Sequence, residues 1–186
     1  MGRVLFTLCL AAGLVASVAQ DAASVSRKFT LIEKERVAPG SKVVLGKDEL
    51  NAYVRREIRT VVPEGVREPR LELGENRATG FAYIDFPKLK ASMGEPMGWF
   101  ASRLLAGERP VQVEALIRSG GGRATVDVQR VEINGVSISG KTLDYLIRNF
   151  LWSYYPEAKV GKPFELAHHI DRLEVQSGQV NVVIGR

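Results

Sequence analysis

The chain has 186 residues and a formal net charge of +5, with a single cysteine, Cys9. This length is enough to bury a hydrophobic core without disulfides or metal ions. Acidic and basic residues are interspersed along the chain, and the lack of a basic cluster argues against nucleic acid as a partner. Weak attraction to an anionic membrane surface is compatible with the charge.

The first residues have the pattern of a secretory signal peptide. Arg3 precedes a run from Val4 to Val18 that contains no charged residue, and Ser17-Val18-Ala19 places small residues where signal peptidase reads them. The run is shorter than the ~20 apolar residues that a bilayer-spanning helix needs. We therefore expect cleavage before Gln20 and export to the periplasm or the cell surface.

Cleavage leaves a mature chain without any thiol, so neither a disulfide nor a cysteine nucleophile nor a cysteine metal site is expected. The loss of Arg3 lowers the net charge to +4. We divide the chain into the signal peptide (1–19), an N-terminal segment (20–41) and a single α+β domain (42–186). The N-terminal segment fits either a strand or a helix and ends at Pro39-Gly40.

The domain shows a helix followed by two strands, three times over. In the first unit a short strand (42–45) precedes a helix with Asp48 and Glu49 in its first turn, where acidic side chains are favoured. Apolar and polar residues then alternate over 66–73 and 78–86, which predicts a hairpin with one buried face.

The other two units repeat this order. We expect helices over 97–105 and 143–154, strands over 111–118, 125–133, 136–139, 170–175 and 180–184, and a turn at Ser119-Gly120-Gly121-Gly122. Such short turns require antiparallel pairing, and so few helices cannot cover both faces of the sheet. The predicted fold class is α+β, a curved antiparallel sheet of hairpins wrapped around about three helices.

No catalytic constellation is visible. His168 and His169 are neighbours, and neighbouring side chains diverge in a strand or a helix, which suits neither one metal ion nor a concerted acid–base pair. Asp85 and Asp127 are isolated acids within predicted strands. We predict no catalytic residue, metal site or cofactor, and a hydrolase acting on envelope polymers remains a minor hypothesis.

Three aromatic residues are more informative. Tyr145 and Trp152 lie on one line of the third predicted helix, roughly opposite its apolar stripe, and Trp99 has the same relation to the stripe of the second helix. A surface helix needs one apolar stripe, and Trp and Tyr favour borders between apolar and wet surroundings. We predict that Trp99, Tyr145 and Trp152 contact a ligand or partner. The alternative is that sheet encloses these helices and both stripes belong to the core.

Three short segments carry a resemblance to known proteins: Lys47–Val54 at the start of the first helix, Val131–Val136 before the third helix, and Pro163–Leu166 before a strand. This pattern resembles the LmeA-like phospholipid-binding family and the YpmS-like family of small exported bacterial proteins. The resemblance implies a curved sheet wrapped around helices, related to tubular lipid-binding (TULIP-like) domains.

These observations lead to two functional hypotheses. The first is an exported envelope protein that binds or carries lipid or another apolar molecule between the sheet and the helices. The second is an envelope assembly or scaffold module that binds a protein partner through the same aromatic surface.

Overall fold

A computed structural model describes residues 21–61, 64–92, 94, 98–99, 103, 105–148 and 161–186. In chain order its elements are α1 (21–33), β1 (Lys42–Gly46), α2 (Lys47–Val61), β2 (Val66–Gly74), β3 (Arg77–Ile84), α3 (Phe86–Ser92), β4 (Arg109–Gly120), β5 (Arg123–Ile133), β6 (Val136–Ile138), α4 (Gly140–Leu146), β7 (Phe164–Glu165), β8 (Ile170–Gln176) and β9 (Gln179–Ile184).

The strands form two antiparallel sheets, which confirms the predicted α+β class. One sheet has three strands in the order β1-β9-β8, and the other has six, with the order β2-β3-β4-β5-β6 and β7 paired to β5. The six-stranded sheet is built from hairpins, and β-bulges interrupt its register between Arg67 and Arg70 and beside Glu114 and Ala115. Bulges bend a strand and increase its twist, so this sheet is curved.

Most predicted elements lie where the sequence places them, including the three hairpins and the turn at Ser119–Gly122. The N-terminal segment, which the sequence left open, forms a helix over 21–33. Asp85 was wrongly assigned to a strand: it follows β3, and its carboxylate accepts a hydrogen bond from the Lys88 N–H at 3.1 Å, which caps the unpredicted helix α3.

Several predictions fall on residues that the structure does not describe. These are the signal peptide, most of the second predicted helix, and the third predicted helix beyond residue 148. In the second predicted helix, Trp99 and Arg103 are described and are helical. Within the described parts of the chain, no helix combines the length and apolarity required to cross a bilayer.

A well-packed core lies between α1 and the three-stranded sheet. Ile32 of α1, Leu45 of β1 and Val182 and Ile184 of β9 are buried together. Phe29 packs against the same cluster and meets the Tyr53 ring edge-on, with ring centroids 4.8 Å apart. These contacts attach α1 to the fold and explain why the N-terminal segment is helical, since its apolar residues have a sheet to pack on.

Two polar side chains join the six-stranded sheet to its neighbours by pairing with both backbone groups of one residue. Asn51 of α2 donates to the Leu71 carbonyl at 2.8 Å and accepts from the Leu71 N–H at 2.6 Å. Ser119, at the end of β4, donates to the Leu173 carbonyl at 2.8 Å and accepts from its N–H at 2.7 Å. Asn51 therefore attaches α2 to β2, and Ser119 attaches the three-stranded sheet to β4.

Glu49 connects three parts of the chain through its carboxylate. It accepts hydrogen bonds from the Gly46 N–H at 2.9 Å, from the Ser24 hydroxyl at 2.6 Å and from the Lys28 ammonium at 2.7 Å. Burial alone raises the pKa of Glu49, but the hydrogen bonds from Lys28, Ser24 and Gly46 outweigh it and hold the pKa below its usual value. Glu49 thus caps α2 and holds α1 against it.

This network gives a pH-dependent contribution to stability. Because the folded-state pKa of Glu49 is lowered, its stabilising effect is present above the ordinary value of 4.5 and is lost as the pH falls through the folded-state pKa. We expect Glu49→Gln to lower the free energy of unfolding by about 1–3 kcal/mol at neutral pH. The difference from wild type should shrink toward zero well below pH 4.5, as measured by denaturant unfolding at a series of pH values.

A matched control is Glu57→Gln, which removes an exposed ion pair with Arg56 (3.0 Å) on the outer side of α2. Exposed pairs contribute about 0–1 kcal/mol, so this variant should change stability little at any pH. A loss in Glu49→Gln that stays the same in acid would contradict the assigned role of the Glu49 charge.

Candidate functional site

One face of the six-stranded sheet is mostly apolar, with Arg109 and Ser119 as polar members near its ends. Residues paired directly across neighbouring strands share a face of a sheet, so the register shows which side chains belong together. The apolar residues on this face, called the apolar face below, include Leu71, Leu73, Ala78, Gly80, Ala82, Ile84, Val111, Val113, Ala115, Ile117, Val126, Val128, Val131, Ile133 and Ile138.

The apolar face is incompletely covered. Leu73, Val111 and Val131 are buried, whereas Val113 and Val128, near the middle of the two longest strands, remain partly exposed. A sheet face covered by a second layer buries its central side chains most deeply. Half-buried aliphatic side chains at the middle of a sheet face leave apolar surface that a ligand can cover.

Gly80 lies at the centre of the apolar face. It pairs with Leu71 on one side and Val113 on the other, so a side chain at this position would point into the face. Apart from its neighbours in the chain, no described residue would lie within 4 Å of a Cβ built on Gly80. Glycine inside a strand often marks a place where another group approaches the backbone closely. As far as the described residues extend, the middle of the apolar face is therefore open.

Two of the three predicted contact residues are described, and both lie at the surface. Trp99 is 79% exposed and Tyr145 is 48% exposed, so neither is enclosed in the core as the alternative interpretation required. Tyr145 belongs to α4, which begins two residues after β6, the last strand of the six-stranded sheet. Trp152 lies outside the described residues.

The histidine pair lies in a tight turn. His168 and His169 have positive φ angles of 55° and 56°, and the Ile170 N–H donates to the Ala167 carbonyl at 3.2 Å. His169 Nε2 is 3.3 Å from a carboxylate oxygen of Glu35, and both side chains are well exposed. Exposed ion pairs contribute about 0–1 kcal/mol, so this contact is a minor link between the α1–β1 loop and the start of β8.

The same residues border a groove of about 330 Å³ with an apolar floor that includes Val37 and Ile184. One carboxylate and two imidazoles line this groove, and of these only His169 and Glu35 are in contact among the described residues. Across the described residues, no group of three or more His, Cys, Asp or Glu side chains is placed to hold a metal ion.

Comparisons with known proteins give no match: no protein family fits this sequence, and no curated protein is significantly similar to it. Sequence analysis predicted the alternation of the strands, and Gly80 is part of that alternation. The open space beside Gly80 depends on how the neighbouring strands pair. The sequence carries no signal for that pairing.

Proposed function

We propose that this protein is an exported envelope protein that binds or carries lipid, with the acyl chain lying on the apolar face of the six-stranded sheet. The observation that supports it most directly is the open centre of that face at Gly80, surrounded by partly exposed aliphatic side chains. The signal-peptide pattern and the resemblance to exported lipid-binding proteins agree with this proposal.

The size of the hydrophobic effect favours a long occupant. Apolar contact contributes roughly 25 cal/mol per Å², so about 600 Å² contributes about 15 kcal/mol. Association costs about 4–15 kcal/mol in lost translational and rotational freedom. A small apolar molecule covers too little surface to offset this loss, whereas an acyl chain can lie along several strands. Lipid is thus preferred over a small apolar molecule as the occupant.

Native mass spectrometry of the full chain, expressed with its own leader and extracted gently from membranes, tests the proposal. We expect a co-purified species with the mass of a lipid, released at higher collision energy. Trp fluorescence should also shift when liposomes are added, because Trp99 is largely exposed before binding. A chain that carries no lipid and whose fluorescence is indifferent to liposomes would refute the proposal.

The exposure of Trp99 and Tyr145 supports a second candidate, an envelope scaffold module that binds a protein partner, because exposed aromatic residues commonly anchor protein interfaces. A photo-crosslinking amino acid at position 99 distinguishes the two candidates in cells. Lipid adducts favour the lipid-binding function, whereas a single dominant protein adduct favours the scaffold.

A further inference from the structure

The opposite face of the six-stranded sheet is polar and contains a groove of about 590 Å³. Its floor is one row of side chains across four neighbouring strands, formed by Arg70, Phe81, Gln112 and Glu132. Arg55 of α2 lines the same groove. This volume is within the ~300–1,000 Å³ typical of pockets for small ligands.

The bulge in β2 orients the arginines of this face. Arg67 pairs with Tyr83 and Arg70 pairs with Phe81, so two residues of β2 between these pairs oppose a single residue of β3. In a regular strand, residues three apart point to opposite faces. The extra residue brings both arginines to the polar face, and Glu68 adopts a left-handed φ of 51° within the bulge. Bulges of this kind often redirect side chains near functional sites.

Each of these arginines lies over an aromatic ring. The Arg67 guanidinium is 4.5 Å from the centroid of the Tyr83 ring, and the Arg70 guanidinium is 4.3 Å from that of Phe81. A guanidinium stacked on a ring keeps its N–H groups free at the edge, where they can bind an anion. Phe81 therefore holds the Arg70 side chain in place without using its hydrogen-bond donors.

The charges in the groove are unbalanced. Both carboxylates that line it already have partners, since Glu68 pairs with Arg67 and Glu132 with Arg130. Arg67 also donates hydrogen bonds to Glu108, and these bonds hold the pKa of Glu108 below its usual value.

By contrast, Arg55 and Arg70 have no ion pair or hydrogen bond with any side chain among the residues described. Arg77 and Arg118, on the same face outside the groove, are neutralised by Glu114 and Asp127.

The geometry points to a phosphate-binding site in this groove, in which Arg55 and Arg70 hold a phosphate or phosphodiester group. A carboxylate offers two oxygens, which one guanidinium fork can occupy alone. Phosphate presents more acceptor oxygens in several directions, so donors from a helix and a strand can bind it together. The group belongs either to a soluble phosphorylated molecule or to a lipid headgroup at a membrane surface.

This site does not depend on the proposed acyl-chain site, because the two lie on opposite faces of the sheet. The test uses the full mature chain and two probes: inorganic pyrophosphate, followed by isothermal titration calorimetry, and phosphatidylglycerol vesicles, followed by co-sedimentation with phosphatidylcholine vesicles as reference. We expect Arg55→Gln/Arg70→Gln to weaken binding at least about tenfold, since two charge-assisted hydrogen-bonding groups are removed.

The charge-matched control is Arg77→Gln/Arg118→Gln, which removes two arginines from the same face outside the groove. It should leave binding within about twofold of wild type. Arg70→Gln alone, at an exposed position, provides a second variant if the double variant folds poorly.

Pyrophosphate binding that requires Arg55 and Arg70 supports a soluble ligand, and binding to phosphatidylglycerol vesicles alone supports a headgroup. The proposal is overturned if neither probe binds, or if both double variants weaken binding equally.

Discussion

Replacing Gly65 by alanine should lower the free energy of unfolding by about 2–5 kcal/mol. Gly65 precedes β2 with a φ of 89°, and a Cβ there would lie 2.6 Å from the Leu89 nitrogen and 2.9 Å from the Asp85 carbonyl oxygen. These are backbone atoms of the α3 region, which cannot move aside as a side chain can. The left-handed conformation costs an L-residue about 1–2 kcal/mol, and overlap with fixed neighbours adds about 1–3 kcal/mol.

Gly40→Ala separates these two effects. Gly40 has a similar φ of 79°, but a Cβ there meets none of the described residues within 4 Å. This variant should lose only the conformational part, about 1–2 kcal/mol. Denaturant unfolding of both variants measures the difference in their free energies of unfolding. Equal decreases would show that the close approach of Gly65 to α3 does not contribute to the destabilisation.

The second large effect is expected on ligand binding, from Gly80→Phe. A phenyl group at this position would fill the open centre of the apolar face between Leu71 and Val113. Phenylalanine favours strands and glycine does not, so the fold should be retained. We expect the lipid that co-purifies with the wild-type chain to fall at least tenfold in native mass spectra, because the occupant and the ring compete for the same space.

Thr79→Phe adds the same ring to the adjacent residue, which shares the polar face with Glu72 and Glu114. This variant should keep its lipid. If both variants retain it, the acyl chain does not lie over Gly80. If both variants lose the lipid while their melting temperatures are unchanged, lipid loss does not depend on which face carries the ring. The proposed position of the acyl chain is then wrong.

The sequence predicted the strands well because alternation is a local signal with a direct structural cause. Val111, Val113 and Ala115 alternate with polar residues, and the structure places all three on one face. The sequence did not predict α3. The segment with Phe86 and Pro87 was interpreted as the end of a hairpin strand, whereas it forms the first turn of a helix capped by Asp85.

The contacts that attach α2 and the three-stranded sheet to the six-stranded sheet join distant segments of the chain. Asn51 finds both backbone groups of Leu71, and Ser119 finds those of Leu173, only after the chain has folded. The bulge beside Glu68 likewise has no sequence signature that fixes its register. A contact role for Trp99 was predicted from helical geometry alone. The exposed side chain is compatible with this role, which stays a prediction.

The pairing of Asn51 with Leu71 has a consequence for behaviour at high concentration. β2 is the outermost strand of its sheet, and an unpaired outer strand is a template to which another chain can add. The Asn51 amide occupies the Leu71 N–H and carbonyl, and Pro69 offers no N–H on the stretch beside it. Together with the bulge, these residues interrupt the hydrogen-bonding pattern that an incoming strand needs. The helix contact that positions α2 thus also blocks strand addition at the β2 edge of the sheet.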